Sequence, residues 1–296
     1  MSSQPARPSR RVAGDGFREL HIAWFVIAAI LAGRYTPHLA RNLADNRHAM
    51  LSRRHAHTLL LAGLVGIATG WWSQGSLPAH QRLAPATLAE PLQTATSSSA
   101  FTARVGQVDY RITPRYDYEL SGLVVSRHDS AAWWDWIHAA SNDHLNVVDL
   151  CVVWGANAAA GAYERMAFSS GQFVCYFSTD DDATWRPDYV RALSNNHLLT
   201  DSPRIARQLR GMQVGDQIRL RGNLVEYAHN AGFAFFRGTS TSRDDTGNGA
   251  CETIFVREAS VLQAAPAWPR WLSRLGWALL VIGLVLLWKQ PYRARD

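Results

Sequence analysis

The segment Arg237–Glu252 (RGTSTSRDDTGNGACE) holds the densest run of side chains that could do chemistry, because hydroxyls, carboxylates and glycines follow one another. The first, third, fifth and sixth positions of a calcium-binding loop are matched by Asp244, Thr246, Asn248 and Gly249. The bidentate glutamate at the twelfth position of such a loop falls on Phe255, so Glu252 would have to replace it. A calcium ion held by Asp244, Asn248 and Glu252 is one hypothesis for this segment.

Three other interpretations compete with calcium binding. The triplet Asp245–Gly247 (DTG) resembles that of the aspartic proteases, whose chemistry needs two carboxylates that share a proton in an apolar cleft. A hydrophobic strand precedes the triplet in that family, whereas polar residues precede it here, which indicates a coincidental match. The segment could also be a binding loop that uses Arg237, Arg243 and Asp245. The sequence favours a long polar β-hairpin whose Asp and Gly residues form turns.

A second polar cluster contains His197 and Asp201. A histidine near an aspartate can act as a general base, so these two residues are weak catalytic candidates. The sequence places no serine or cysteine nucleophile beside them. The alternative is a histidine at the surface or one whose hydrogen bonds are satisfied within the fold.

Three tryptophans, Trp133, Trp134 and Trp136, fall within four positions of one predicted helix. Two adjacent residues of a helix cannot both face one core, so at least one of these rings is expected at a surface. Tryptophan is enriched at membrane interfaces. We therefore expect this cluster to bind a partner, a carbohydrate or the membrane surface, and the alternative is core packing.

The three cysteines, Cys151, Cys175 and Cys251, all fall in predicted strands. In an oxidising compartment an odd number implies one disulfide and one free thiol. The first choice of pair is Cys151 with Cys175, because their strands are close in sequence. Three buried reduced cysteines are the alternative, and no spacing typical of a zinc site accompanies them.

The elements that must position these residues are mostly strands, and they follow runs of β-branched and aromatic residues. The predicted strands are Tyr116–Ser126, Asn146–Trp154, Tyr163–Ser169, Gln172–Ser178, Asp216–Tyr227, Phe233–Ser240 and Cys251–Glu258. Two helices are predicted, Ser130–Ala140 capped by Asp129, and one that begins at Pro203 and ends at Gly211. The stretch Gln213–Val225 (QVGDQIRLRGNLV) resembles the entry to a strand in OB-type barrels. This resemblance implies an OB-like barrel with two helices and says nothing of function.

Hydrophobic segments lie on both sides of this region. A membrane-spanning helix needs about 20 apolar residues. Residues 58–77 and 271–288 meet that requirement, whereas the segment 20–33 is short and could span or lie in the interface. The fold class is therefore a membrane-anchored α+β protein, with two or three hydrophobic helices that flank a β-rich domain. The expected divisions are a basic segment 1–57, a span 58–77, a linker 78–104, the domain 105–263, a linker 264–270, a span 271–288 and a tail 289–296.

Charge is distributed unevenly around these spans. The formal net charge of +6 comes from the ends of the chain, while residues 78–268 hold more acidic than basic side chains. Basic residues that flank a span favour the cytoplasmic side, which places the β-rich domain outside the cytoplasm. The near absence of lysine beside many arginines indicates a GC-rich bacterial genome. We therefore expect the bacterial inner membrane, with no nucleic acid as partner.

These observations lead to two functional hypotheses. The first is a membrane-anchored extracytoplasmic protein that binds other envelope proteins or supports their assembly. The second is a membrane-bound hydrolase that uses His197, Asp201 or the segment Asp244–Glu252. Convergence of these polar groups in one cleft would favour the hydrolase.

The predicted topology can be tested with a reporter fused at residue 200. A reporter that is active only outside the cytoplasm should give signal there, because both basic flanks are expected inside. A reporter that is active only inside the cytoplasm serves as the control. Signal from that control alone would contradict the predicted orientation.

Overall fold

The computed structural model describes residues 37–245 and 251–289, with side-chain surroundings from residue 53 onward. The hydrophobic segment 20–33 and the calcium candidate Asn248 lie outside the described residues. The described chain forms a mixed α+β structure with one large sheet. The helices are α1 (Pro37–Ser73), α2 (Trp136–Ala140), α3 (Gly155–Ala160), α4 (Pro187–Arg191), α5 (Pro203–Gly211) and α6 (Trp268–Trp288), with short 3-10 turns at His80–Arg82, Pro85–Leu88 and Ala162–Arg165.

Eight strands belong to the large sheet, and two form a separate hairpin. The large sheet contains β1 (Leu92–Ala95), β2 (Phe101–Val105), β3 (Val108–Asp129), β4 (Asn146–Val153), β7 (Leu193–Leu199), β8 (Gln217–His229), β9 (Phe235–Arg237) and β10 (Glu252–Gln263). The hairpin consists of β5 (Ala167–Gly171) and β6 (Val174–Ser178).

The pairings of five long strands return to their starting point. Strand β3 pairs antiparallel with both β4 and β8. Strand β4 pairs antiparallel with β7, which lies parallel to β10, and β10 pairs antiparallel with β8. Gly222 of β8 permits one close approach, because a Cβ there would lie 2.0 Å from the carbonyl oxygen of Phe255.

Strand β4 is buried on both faces, but the two faces differ in chemistry. Successive side chains of a strand point to opposite faces. Leu150 and Val152 enter the main apolar core, where Ile205 and Leu209 of α5 also pack. Asp149 and Cys151 point to the other face, which the β5–β6 hairpin adjoins. Helix α5 starts as expected, because the Ser202 side chain accepts from the backbone N–H of Ile205.

The structure differs from the sequence prediction in several local elements. A 3-10 turn, Ala162–Arg165, replaces the start of the expected strand Tyr163–Ser169, and β7 was not among the expected strands. Helix α2 is shorter than expected and is capped by Asp135, because Asp129 is the last residue of β3. Residues 78–104, expected as a linker, contain β1 and most of β2, and the backbone groups of both strands pair with β3. The hairpin turn falls at Gln172–Phe173, later than the expected Ser170–Gly171.

Among the described residues, only α6 is long and apolar enough by itself to cross a membrane. The expected second span, 58–77, lies in the last part of α1, which ends at Ser73. The described residues up to Gly66 and those from Leu275 onward form one compact unit, and Ile67–Arg274 forms another. Within the first unit, a Cβ on Gly63 would lie 2.7 Å from the carbonyl oxygen of Gly276 in α6.

This close helix contact gives a test of the packing between α1 and α6. Gly63→Ala should lower the melting temperature of the purified full-length protein, since the added methyl meets backbone atoms of α6. We expect a loss of roughly 1–3 kcal/mol, as for other overpacked sites. Gly211→Ala is the matched control, because a Cβ there meets nothing within 4 Å. Equal melting temperatures for the two variants would contradict the packing.

Candidate active site

A cavity of about 970 Å³ lies beside the polar face of the sheet. Its walls come from the β5–β6 hairpin, strand β7, strand β9 and the start of β10. The lining includes His197, Arg237, Arg243, Cys251 and Glu252. The segment of the sequence that is richest in chemistry and the histidine candidate therefore share one cavity.

His197 is oriented by a carboxylate on the neighbouring strand. Asp149 of β4 and His197 of β7 are paired in the sheet register, so their side chains emerge side by side. The distance from Asp149 Oδ1 to His197 Nδ1 is 2.7 Å, and both side chains are fully buried. The pair resembles the orienting half of a nucleophile–histidine–carboxylate arrangement.

The other nitrogen of His197 lies against a cation, and a thiol lines the same cavity. Arg237 Nη2 lies 2.7 Å from His197 Nε2. Cys251 lines the same cavity as His197, and its sulfur is among the influences that raise the pKa of His197, as expected when a ring N–H donates to sulfur. Because Nδ1 contacts Asp149, proton exchange with the thiol would have to use Nε2, on which Arg237 now donates. Asp149 and His197 are thus paired across β4 and β7, and Cys251 directly precedes the part of β10 that pairs with β7.

The protonation of His197 reflects opposed influences. Burial disfavours the imidazolium, but the charge and the hydrogen bond of Asp149 outweigh it and raise the pKa of His197 to about 9. Arg237 opposes the charged form, and its short contact requires a neutral ring, because a guanidinium can only donate. The geometry therefore describes the neutral Nδ1–H tautomer, while Asp149 makes proton uptake at Nε2 favourable.

Cys251 is the free cysteine of the chain and is partly exposed. The Nδ2 atom of Asn195 donates to its Sγ atom across 3.9 Å. The structure joins Cys151 and Cys175 in a disulfide, and these are the two cysteines paired in the sequence analysis. That disulfide ties β4 to β6, so it fastens the hairpin beside the cavity.

A buried chain of hydrogen bonds extends from Asp149 away from the thiol. Asn146 Nδ2 donates to Asp149 Oδ1 at 2.8 Å and lies 3.0 Å from His138 Nε2. His138 Nδ1 and His128 Nε2 each lie 2.6 Å from Asp135 Oδ2. The Phe173 ring stacks 3.8 Å from the ring of His138, which places the strained hairpin turn (φ 63° at Phe173) over this chain.

His128, Asp135 and His138 also have the donor atoms of a metal site. Their ligand atoms lie within 4.8 Å of one another, and the three residues are buried. However, the amide N–H of Asn146 requires His138 Nε2 to accept, which leaves the proton of His138 on Nδ1, toward Asp135. The contacts therefore fit a hydrogen-bonded His–Asp–His triad better than a set of deprotonated metal ligands.

A second ionic cluster lies where the 237–252 segment meets the opposite face of the sheet. Arg243 contacts Glu252 and donates to the hydroxyl of Tyr118 at 2.7 Å, and it also lies over the ring of Trp154. Burial raises the pKa of Glu252 to about 7 although Arg243 acts in the other direction. The cluster anchors the segment that presents Cys251.

The structure separates the remaining sequence candidates. Asp201 is exposed, and the carboxylate that contacts His197 is that of Asp149 instead. Asp244 pairs with Arg191 at 2.6 Å, and Glu252 contacts Arg243, so a calcium ion would have to displace two arginines. Asp245 accepts from the hydroxyl of Ser240 at 2.8 Å.

The three tryptophans of the 133–136 cluster are exposed. Their exposed fractions are 95%, 49% and 70% for Trp133, Trp134 and Trp136. The ring of Trp134 meets His128 edge-on at 4.8 Å. The cluster therefore lies at the surface next to the outer end of the buried hydrogen-bond chain.

Sequence reasoning did not find Asp149 and Cys251 as partners of His197. The usable signal was Asp149 itself, the one charged residue of a strand that is apolar after Asn146, because a buried charge needs a partner. The register that brings β7 beside both β4 and β10 could not be read from local patterns.

Comparison with known proteins gives no match. No protein-family model fits the chain, and no curated protein or solved structure is significantly similar to it.

The buried Glu252 carboxyl leads to a pH prediction. In the folded protein the pKa of Glu252 is raised from its ordinary 4.5 to about 7. The protonated carboxyl therefore contributes its full stabilisation of the fold below pH 4.5, and this contribution is lost as the pH rises through 7. Relative to Glu252→Gln, the wild type should lose roughly 1–3 kcal/mol of stability between pH 4.5 and pH 8. Denaturant unfolding at both pH values measures the difference.

Glu258→Gln provides the control on the same strand, because Glu258 is exposed. Its pH dependence should parallel that of the wild type. If the stability of Glu252→Gln also changed with pH in parallel with the wild type, the predicted rise in the pKa of Glu252 would be wrong.

Proposed function

We propose that this protein is a membrane-anchored thiol hydrolase or acyltransferase whose nucleophile is Cys251. The observation that carries the proposal is that Cys251 and His197 line one cavity, with Asp149 hydrogen-bonded behind His197. Convergence of the polar candidates was the criterion that separates the hydrolase from the binding protein. The proposal keeps His197 and the 237–252 segment, and it replaces Asp201 with Asp149.

The roles follow from the contacts. His197 takes the thiol proton at Nε2 while Asp149 holds Nδ1–H and stabilises the imidazolium. The thiolate attacks a carbonyl carbon, and the leaving group departs with the proton that His197 returns. Water or another acceptor then cleaves the thioester and regenerates the thiol. The guanidinium of Arg237 leaves Nε2 when the ring is protonated, and it can then donate to the developing oxyanion.

An OB-like barrel accounts for the strand pairings within this proposal. The ring of β3, β4, β7, β10 and β8, with one parallel pair and with α5 between β7 and β8, supports it. OB barrels use the face of their second and third strands and two flanking loops to bind ligands. The matching face here carries Asp149 and His197, and the matching loops carry the tryptophans and Cys251.

Anchorage in the bacterial inner membrane, with the domain outside, is part of the proposal. The exposed apolar surface of α6 supports it, as does the glycine contact between α1 and α6, since small residues mediate helix packing in lipid. The exposed rings of Trp71, Trp72, Trp268 and Trp271 lie at the two helix ends nearest the domain, as in an interfacial aromatic belt. The disulfide suits an oxidising compartment.

A second candidate function is binding of envelope proteins through the exposed tryptophans. The observation in its favour is the 95% exposure of Trp133, because large exposed aromatic residues are frequent anchors of interfaces. Under this hypothesis, Cys251 variants should retain partner binding while Trp133→Ala loses it. Crosslinking in intact membranes distinguishes the two functions.

Hydrolysis of p-nitrophenyl acetate by the full-length protein in detergent tests the thiol proposal. The wild type should show a burst of one p-nitrophenol per chain, followed by turnover. Cys251→Ala should abolish the burst, and His197→Ala should slow it by about 100-fold or more, as for removal of a general base.

His144→Ala is the control histidine variant, because His144 is exposed and lies outside the cavity lining. It should react like the wild type. A burst of unchanged size in Cys251→Ala would exclude Cys251 as the nucleophile.

A further inference from the structure

The buried residues behind Asp149 suggest a role in the proposed reaction. Asp149 is fully buried, and only its Oδ1 atom receives hydrogen bonds from the described residues, one from His197 and one from Asn146. Half of the hydrogen bonds that support this carboxylate therefore come from Asn146. A buried carboxylate that loses a donor becomes easier to protonate.

Asn146 is itself held in one orientation. Its Nδ2 atom reaches Asp149 Oδ1 and His138 Nε2 at 2.8 and 3.0 Å, so both amide hydrogens are directed. His138 accepts at Nε2 because its Nδ1–H donates to Asp135. Asp135 receives a second ring N–H from His128 at the same Oδ2 atom. Each proton in the chain thus has one allowed position.

Neighbouring aromatic rings cover the two histidines of this hydrogen-bond chain. Trp134 covers His128 and Phe173 covers His138. The charged groups that face His197 from the packed elements are Asp149 on β4, Arg237 on β9 and Glu252 at the start of β10. The Arg237 guanidinium also lies 3.9 Å from the centre of the Phe173 ring. Asp143, which accepts from Tyr227 at 2.7 Å, is the next buried carboxylate.

We propose that Asn146 and His138 are positioning residues that hold Asp149 ionised and aimed at His197, with the His128–Asp135 pair as their anchor. The inference rests on the proposed function of the Cys251 site. It extends that site from three residues to a row that reaches the tryptophan surface. Neither Asn146 nor His138 touches the reacting thiol, so their effect must pass through Asp149 and His197.

The pH dependence of thiol alkylation tests this inference without a known substrate. Cys251 is the free thiol of the chain, so iodoacetamide reports on it directly in the full-length protein in detergent. In Asn146→Ala, the weakened Asp149 supports the imidazolium less, so thiolate formation needs a higher pH. We expect the half-maximal alkylation rate to move up by about one pH unit, and the rate at pH 7 to fall about tenfold.

A matched control is Asn223→Ala. Asn223 is also buried and also donates to an aspartate, Asp117, at 2.7 Å, but it lies outside the cavity lining. It should leave the profile of alkylation against pH in place. His138→Gln serves as a second variant if Asn146→Ala does not fold, and it should move the profile in the same direction by a smaller amount.

Two outcomes separate the inference from the function on which it rests. If His197→Ala leaves alkylation unchanged, the proposed Cys251 site is wrong. If His197→Ala slows alkylation but folded Asn146→Ala and His138→Gln overlay the wild-type profile, the site stands and the positioning role is overturned. A merely structural role would lower the melting temperature of these variants without moving the profile.

Discussion

The described domain depends on how it accommodates one buried charge, the carboxylate of Asp149. The carboxylate lies in the middle of a strand that is otherwise apolar after its first residue, Asn146, and it has no exposure to solvent. Burial alone would raise the pKa of Asp149, but its interactions with His197 and the hydrogen bond from Asn146 hold it below its usual value. Removing one partner from such a pair leaves an uncompensated charge, which typically costs about 3–5 kcal/mol. The register of β4 and β7 is therefore constrained by this pair as well as by the apolar core.

The β5–β6 hairpin further constrains the surroundings of Asp149. The disulfide fastens it to β4, and its turn carries Phe173 with a positive φ, a conformation that is uncommon for a large side chain. The ring of Phe173 lies against both His138 and the guanidinium of Arg237. Packing of one turn residue thus links the buried hydrogen-bond chain to the group that faces His197 Nε2. Backbone strain that is maintained by surrounding contacts is often found at functional sites.

Local patterns were sufficient for most strands and for helix α5, because alternation, β-branched residues and the Ser202–Pro203 start act over a few residues. They were insufficient where long-range pairing decided the outcome. Residues 92–105 look like a linker by composition, yet β3 is long enough to pair with two short strands there. Asp129 looked like a helix cap but belongs to a strand, and Asp135 takes that role. The chemistry of the 237–252 segment was recognised, whereas the partner of His197 depended on a parallel pairing between β7 and β10 that no local signal encodes.

The position of Arg237 explains how a histidine with a raised pKa could still serve as a base. An imidazole paired with a carboxylate in a dry site would remain protonated at neutral pH, and a protonated ring cannot accept the thiol proton. The guanidinium at Nε2 opposes that charge without bringing the pKa of His197 below about 9, and the hydrogen bond that it donates fits only the neutral ring. In the proposed mechanism, arrival of the thiol proton sets two cations against each other, and the guanidinium then moves from the ring toward the cavity where negative charge develops. In the proposed mechanism one arginine therefore keeps the base neutral before the transfer and stabilises the anion after it, and the cation–π contact with Phe173 limits how far it can move.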